Sequence, residues 1–121
     1  MKHLKGRMQE ARDEFYRNRR NRGFMSFWWS DPLHYVLGLE VAIADASSKS
    51  INFEAIVKLL PNSMGSRSTI ATVLDDYVAR GYMCKAIGKD KRKRVYRMCK
   101  ESMQLLNEWF TERQRSLKAV S

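Results

Sequence analysis

Five cations crowd one short stretch of the chain. In KAIGKDKRKRVYRM (residues 85–98), Lys89, Lys91, Arg92, Lys93 and Arg94 fall within six positions, interrupted only by Asp90. Like charges at that spacing repel one another unless something outside the protein supplies negative charge. A block of this size reads as an interaction site rather than as a solvated turn. Its chemistry is phosphate neutralisation, with lysine as a point charge and arginine as a planar, bidentate donor. A second group lies upstream, where Ser66, Arg67, Ser68, Thr69 and Thr72 open a helical pattern. Small hydroxyl side chains and an arginine let a helix lie close to base edges and phosphates.

No other arrangement carries chemistry. There is no nucleophile elbow, no phosphate-cradling glycine loop and no HExxH. Two histidines and two cysteines fifteen residues apart do not make a recognisable metal site. The expectation is therefore a protein that is not an enzyme and needs no cofactor or metal. If the hairpin folds about residues 90–91, Met83 pairs with Met98, and Cys84 becomes a diagonal neighbour of Cys99. Diagonal Cβ atoms stand about 7 Å apart, too far for an unstrained disulfide, so two inert thiols are expected.

The elements that must position these groups follow from periodicity. Leu4, Met8, Ala11 and Phe15 make a narrow apolar stripe on a helix over 4–20. Asp31-Pro32 opens a helix reaching about Ala46, with Leu33, Val36, Leu37, Val41 and Ala44 inward. Asn52 caps a short helix, 53–60, which Pro61 stops. After the turn PNSMG, Ser66 caps a longer helix with Ile70, Val73, Leu74, Tyr77 and Val78 on one face, ended by Gly81. A short helix, a tight turn and a longer helix form a helix-turn-helix. YMCKAI and RVYRM then read as short strands on either side of the basic tip. Helical spacing returns at Met103, Leu106, Phe110 and Leu117.

The 121 residues suit one domain, and the net charge of +10 points to nucleic acid. That charge is uneven. Residues 1–22 carry 8 Lys/Arg against 3 Asp/Glu, residues 23–66 carry 2 against 4, and residues 67–121 carry 13 against 6. Arg12, Arg17, Arg19, Arg20 and Arg22 are either a second phosphate-binding surface or the solvated back of a dimerisation helix, and the sequence leaves both open. No apolar run approaches the roughly 20 residues that span a bilayer. The cytoplasm is the expected location, on the nucleoid when DNA is bound.

The stretch GSRSTIATVLDDYVARGYM (65–83) resembles the recognition helix of the multiple-antibiotic-resistance regulator (MarR) family. Ser66-Arg67-Ser68-Thr69 matches that family's Ser-x-Ser-Thr start, and Arg80-Gly81-Tyr82-Met83 its closing run. Asp90-Lys91-Arg92 is similar to the Asp-x-Arg at the tip of its wing. The resemblance covers residues 31–102. It departs at Met98, Cys99 and Ser102, where the family has Leu-Thr and a later Gly, and in having one helix after the wing instead of two. It implies that helix 66–80 enters the major groove, that Arg92 reaches the adjacent minor groove with Asp90 orienting it, and that the terminal helices make a homodimer.

The expected fold is mainly α with a small two-stranded β-wing, a winged helix-turn-helix whose terminal helices form the dimer interface. It is read as a single winged-helix domain over 1–121: an N-terminal helix in 1–22, the winged helix-turn-helix in 31–100 with recognition helix 66–80 and wing 83–98, and a C-terminal helix in 101–118. The expected function is sequence-specific binding of double-stranded DNA by a transcriptional regulator. Arg67, Ser68, Thr69, Thr72, Lys89, Asp90, Lys91, Arg92, Lys93 and Arg94 are the candidate contacts. The alternatives are a non-specific or architectural DNA-binding protein, and a winged-helix module that binds protein or RNA. No membrane contact is expected. A small-molecule effector has no support beyond Phe24, Phe27, Trp28 and Trp29, which read first as core packing.

Overall fold

The computed structural model describes residues 2–20, 23–88 and 93–120. The chain forms α1 (Lys2–Arg20), α2 (Phe24–Trp28), α3 (Pro32–Ala46), β1 (Ile51–Asn52) and α4 (Phe53–Leu59). After a 3-10 turn at Asn62–Met64 come α5 (Arg67–Ala79), β2 (Met83–Ile87), β3 (Arg94–Met98) and α6 (Lys100–Val120). The protein is mostly helical, with one small antiparallel sheet in the order β1-β3-β2.

Local chemistry sets the helix ends. The carboxylate of Asp31 accepts the His34 N–H at 2.9 Å, and Asn52 Oδ1 accepts the Ala55 N–H at 2.9 Å. Ser66 Oγ accepts the Thr69 N–H at 3.1 Å. Each cap satisfies a donor that the first helical turn leaves without a partner. At the far end of α5, Gly81 sits at φ +79°, a left-handed conformation that suits glycine. The Tyr82 N–H then reaches the Tyr77 carbonyl at 2.9 Å, and the Gly81 N–H reaches Val78 at 3.0 Å. These paired bonds close the helix and turn the chain directly into β2. α3 closes in the same way, but with Ser48 at φ 55° where glycine would be unstrained.

The core is built around Trp28, which is fully buried. Its ring stacks on Tyr35 with centroids 4.8 Å apart and meets Trp109 of α6 edge-on at 5.4 Å. Its indole N–H donates to the Tyr35 carbonyl at 3.0 Å. Gly38 makes room for that ring. Leu37, Val41, Ile56, Leu74 and Tyr77 complete the centre, and the Tyr77 hydroxyl donates to the His34 carbonyl, tying α5 to α3.

Two elements differ from the sequence expectation. The sheet has three strands, not two: Ile51 pairs with Tyr96 and Asn52 with Val95. A strand of two residues is too short to show alternation. α2 is likewise a separate helix in a stretch too short for a 3.6-residue period to emerge. The hairpin register agrees with expectation, with Met83 opposite Met98. On its β1 side, the Met98 N–H lies beyond the end of the two-residue strand, and the Asp45 carboxylate accepts it at 2.9 Å. Among the described residues, no helix is long and apolar enough to cross a membrane.

Two glycine exchanges of opposite sign follow. A Cβ at position 38 would stand 2.6 Å from Trp28 Cδ1 and 3.0 Å from the Tyr77 hydroxyl. Gly38→Ala is expected to destabilise the fold by about 1–3 kcal/mol in urea unfolding followed by tryptophan fluorescence. Ser48→Gly removes the left-handed strain and is expected to stabilise by up to about 1 kcal/mol in the same measurement.

Candidate nucleic-acid interface

Burial of Ile70, Val73, Leu74 and Tyr77 fixes the rotation of α5. At 100° per residue, the opposite side then carries Ser68, Thr69, Thr72, Asp75 and Asp76, all exposed. Thr72 Oγ1 donates to the Ser68 carbonyl at 3.0 Å, and the Ser66 and Thr69 hydroxyls lie 3.0 Å apart. Thr69 therefore belongs to the cap as well as to the exposed face. The Thr72 hydroxyl keeps its lone pairs free to accept from a ligand.

Arg67 is not a loose first-turn cation. Its guanidinium embraces both carboxylate oxygens of Glu54 at the start of α4, with Nη1 3.2 Å from Oε2. Its Cζ lies 5.3 Å from the centroid of the Phe53 ring. The pair links the two helices of the helix-turn-helix across thirteen residues of sequence. Hydrogen bonds from Arg67 hold the Glu54 carboxyl below its ordinary value of 4.5, and the charges of Arg67, Lys58 and Lys93 add to the effect. The arginine is raised in turn. Both side chains are more than half exposed, so a polyanion can reach this arginine by displacing the glutamate.

Beside this clamp lies a groove of about 380 Å³ between the start of α4, one side of α5 and the arms of the hairpin. Asn52, Phe53 and Glu54 form one wall, with Ala71 and Asp75 of α5. Lys85, Lys93, Arg94 and Tyr96 form the other. Of the hairpin cations expected at the site, the structure brings Lys93 and Arg94 to this groove. Lys89, Asp90, Lys91 and Arg92 lie outside the described residues. The last described rung of the hairpin is the Gly88 N–H donating to the Lys93 carbonyl at 3.3 Å.

Two groove residues escaped the sequence reading. Lys85 shares a sheet face with Met83 because β2 alternates. Its Nζ lies 5.5 Å from the centroid of the Tyr96 ring and 4.0 Å from Asp75. That alternation was a usable signal. Glu54 gave none, since nothing local shows which cation an exposed acid on a neighbouring helix will meet. On α1, Arg12 pairs with Asp13 at 3.2 Å. The side chains of Arg17, Arg19, Arg20 and Arg22 lie outside the described residues. Phe24 and Trp28 are buried and Phe27 and Trp29 half-buried against the core, so the aromatic run is packing.

Comparison with family models, with curated proteins and with solved structures finds no match to this chain.

The Glu54–Arg67 pair titrates with a definite sign. Because the folded carboxyl lies below 4.5, the pair is fully formed above that pH and is lost only as pH falls through the lowered value. Carboxyl NMR titration is expected to place the Glu54 midpoint below 4.5 in the wild type. In Arg67→Ala it should rise toward the ordinary value.

Proposed function

We propose that the chain is a winged helix-turn-helix protein that binds double-stranded DNA with sequence preference, as a homodimeric transcriptional regulator. In this reading α5 enters the major groove, and the basic hairpin tip with Arg92 enters the minor groove beside it. One observation carries the proposal. The start of α4, the middle of α5 at Ala71 and Asp75 and the cationic hairpin arms line a single groove beside the Arg67–Glu54 pair, which is where a phosphate strand would lie with a helix and a wing in adjacent grooves. Lys85, Lys93 and Arg94 supply its positive wall. Arg67, held by Glu54, is poised to exchange a carboxylate for acceptors on a base edge.

Apolar exposure supports the homodimer. Leu4 and Met8 of α1 are more than half exposed, as is Ile43 of α3, and Phe110 of α6 is 39% exposed. α6 contributes less to such an interface than its stripe implied, because Leu106 is 4% exposed within the chain's own core. Two copies related by a two-fold axis would present their α5 helices to major grooves about 10–10.5 bp apart.

Selection from a pool of randomised duplexes at near-physiological salt tests the reading. A two-fold symmetric motif is the expected result. Recovery of duplexes without a motif would favour an architectural DNA-binding protein, and recovery of nothing would point to a protein or RNA partner. On the selected site, Arg92→Ala should weaken binding across all sequences, whereas Thr72→Ala and Arg67→Ala should change the preferred sequence. Lys93→Ala and Arg94→Ala should each lower the slope of log K against log salt by about 1. Glu54→Gln should tighten binding by releasing Arg67.

A further inference from the structure

Cys84 lies in β2, and Cys99 stands between β3 and α6. Register makes them diagonal neighbours, since Cys84 is opposite Arg97 and the Cys99 N–H donates to the Tyr82 carbonyl at 3.0 Å. A regular sheet would keep the sulfurs of such a pair apart, and the diagonal spacing predicts too wide a gap for a disulfide. The structure corrects that spacing. Cys99 ends the ladder: its N–H still bonds to Tyr82, while its carbonyl accepts the Met103 N–H at 3.0 Å, opening the first turn of α6. The chain bends away from the ladder there, and the two sulfurs stand 2.9 Å apart.

Both cysteines are free, Cys84 exposed and Cys99 half-buried. The sulfurs are closer than two unbonded sulfur atoms ordinarily sit and only about 0.9 Å beyond the length of a disulfide. Cys84 is the more exposed of the two and is the one that meets reagents from solvent, while burial, and after it the neighbouring Cys84 sulfur, pushes Cys99 up to about 11.

We propose that Cys84 and Cys99 form a dithiol site that low-molecular-weight disulfides oxidise to an intramolecular bond, cross-linking β2 to the start of α6. Cys84 loses its proton and attacks one sulfur of the reagent, R–S–S–R. One R–SH leaves with that proton, and a Cys84–S–S–R mixed disulfide remains. Cys99 then attacks the Cys84 sulfur, and a second R–SH leaves with the Cys99 proton. The protein gives up two electrons and two protons, and the reagent is reduced to two thiols. The site closes the hairpin loop at its base whether or not the protein binds DNA.

The test uses the full chain, fully reduced, freed of reductant and exposed to glutathione disulfide without air. The expected product has lost both titratable thiols, weighs less by two hydrogens, and yields a linked Cys84–Cys99 peptide that a dithiol reductant separates. Cys99→Ser should stop at a glutathione adduct on Cys84. Cys84→Ser should react at least about tenfold more slowly than the wild type. A wild-type protein that keeps a stable glutathione adduct, links two chains to each other, or leaves both thiols free overturns the proposal.

Discussion

Trp28 can be buried only because position 38 has no side chain. The indole lies where a Cβ on α3 would sit, and its faces and edges then organise three elements at once. Tyr35 stacks on it from α3, Trp109 meets it from α6, and Phe24 stacks from within α2. Tyr77 occupies the same neighbourhood and brings α5 with it, through its hydroxyl on His34 and its ring against Phe27. The orientation of α5, and hence which of its residues face solvent, depends on this packed centre. Arg80 extends the same contact outward, its guanidinium 4.7 Å from the centroid of the Phe27 ring. A core defined by interlocking aromatic shapes tolerates little change in volume at any one of them.

What could be read from the sequence was what local chemistry decides. Asp31, Asn52 and Ser66 cap helices through side chains that reach only three residues ahead, so their positions are visible in a string of letters. The α5 face was legible because its apolar period repeats over several turns. The Met83–Met98 register was legible because a hairpin's turn fixes its rungs. The remaining features depend on contacts between distant parts of the chain or on departures from ideal geometry. β1 is a strand only because β3 lies beside it. Glu54 meets Arg67 because a tight turn folds α4 back toward α5. Cys84 meets Cys99 because the chain bends out of the sheet where a regular ladder would have held them apart. Leu106 lies on the apolar stripe of α6 but is buried in the chain's own core, which its spacing alone does not reveal.

The candidate interface is not a plain cationic surface. Glu54 and Asp75 sit among Arg67, Lys85, Lys93 and Arg94. In the proposed complex those acids act as placeholders for phosphates. They hold long, flexible side chains in one region of space while no ligand is present, which reduces the ordering required on binding. They also weaken attraction for anions that lack the shape to displace them. Such a surface discriminates by geometry as well as by charge.

The two edges of the sheet differ in a way that bears on the molecule's behaviour at high concentration. At one edge the two-residue β1 pairs with Val95 and Tyr96 of β3, and the Asp45 carboxylate takes the Met98 N–H. At the other, Met83, Lys85 and Ile87 turn their backbone N–H and C=O groups outward, because the intervening residues are the ones bonded to β3. An open edge of that kind invites a second strand, and Ile87 is 62% exposed on it. Lys85 lies in that edge, and the cationic run begins just past its end, so two such edges approaching each other would meet like charge along their length. In the proposed reading, the cations that would meet a polyanion would also repel a second copy of the chain at this edge.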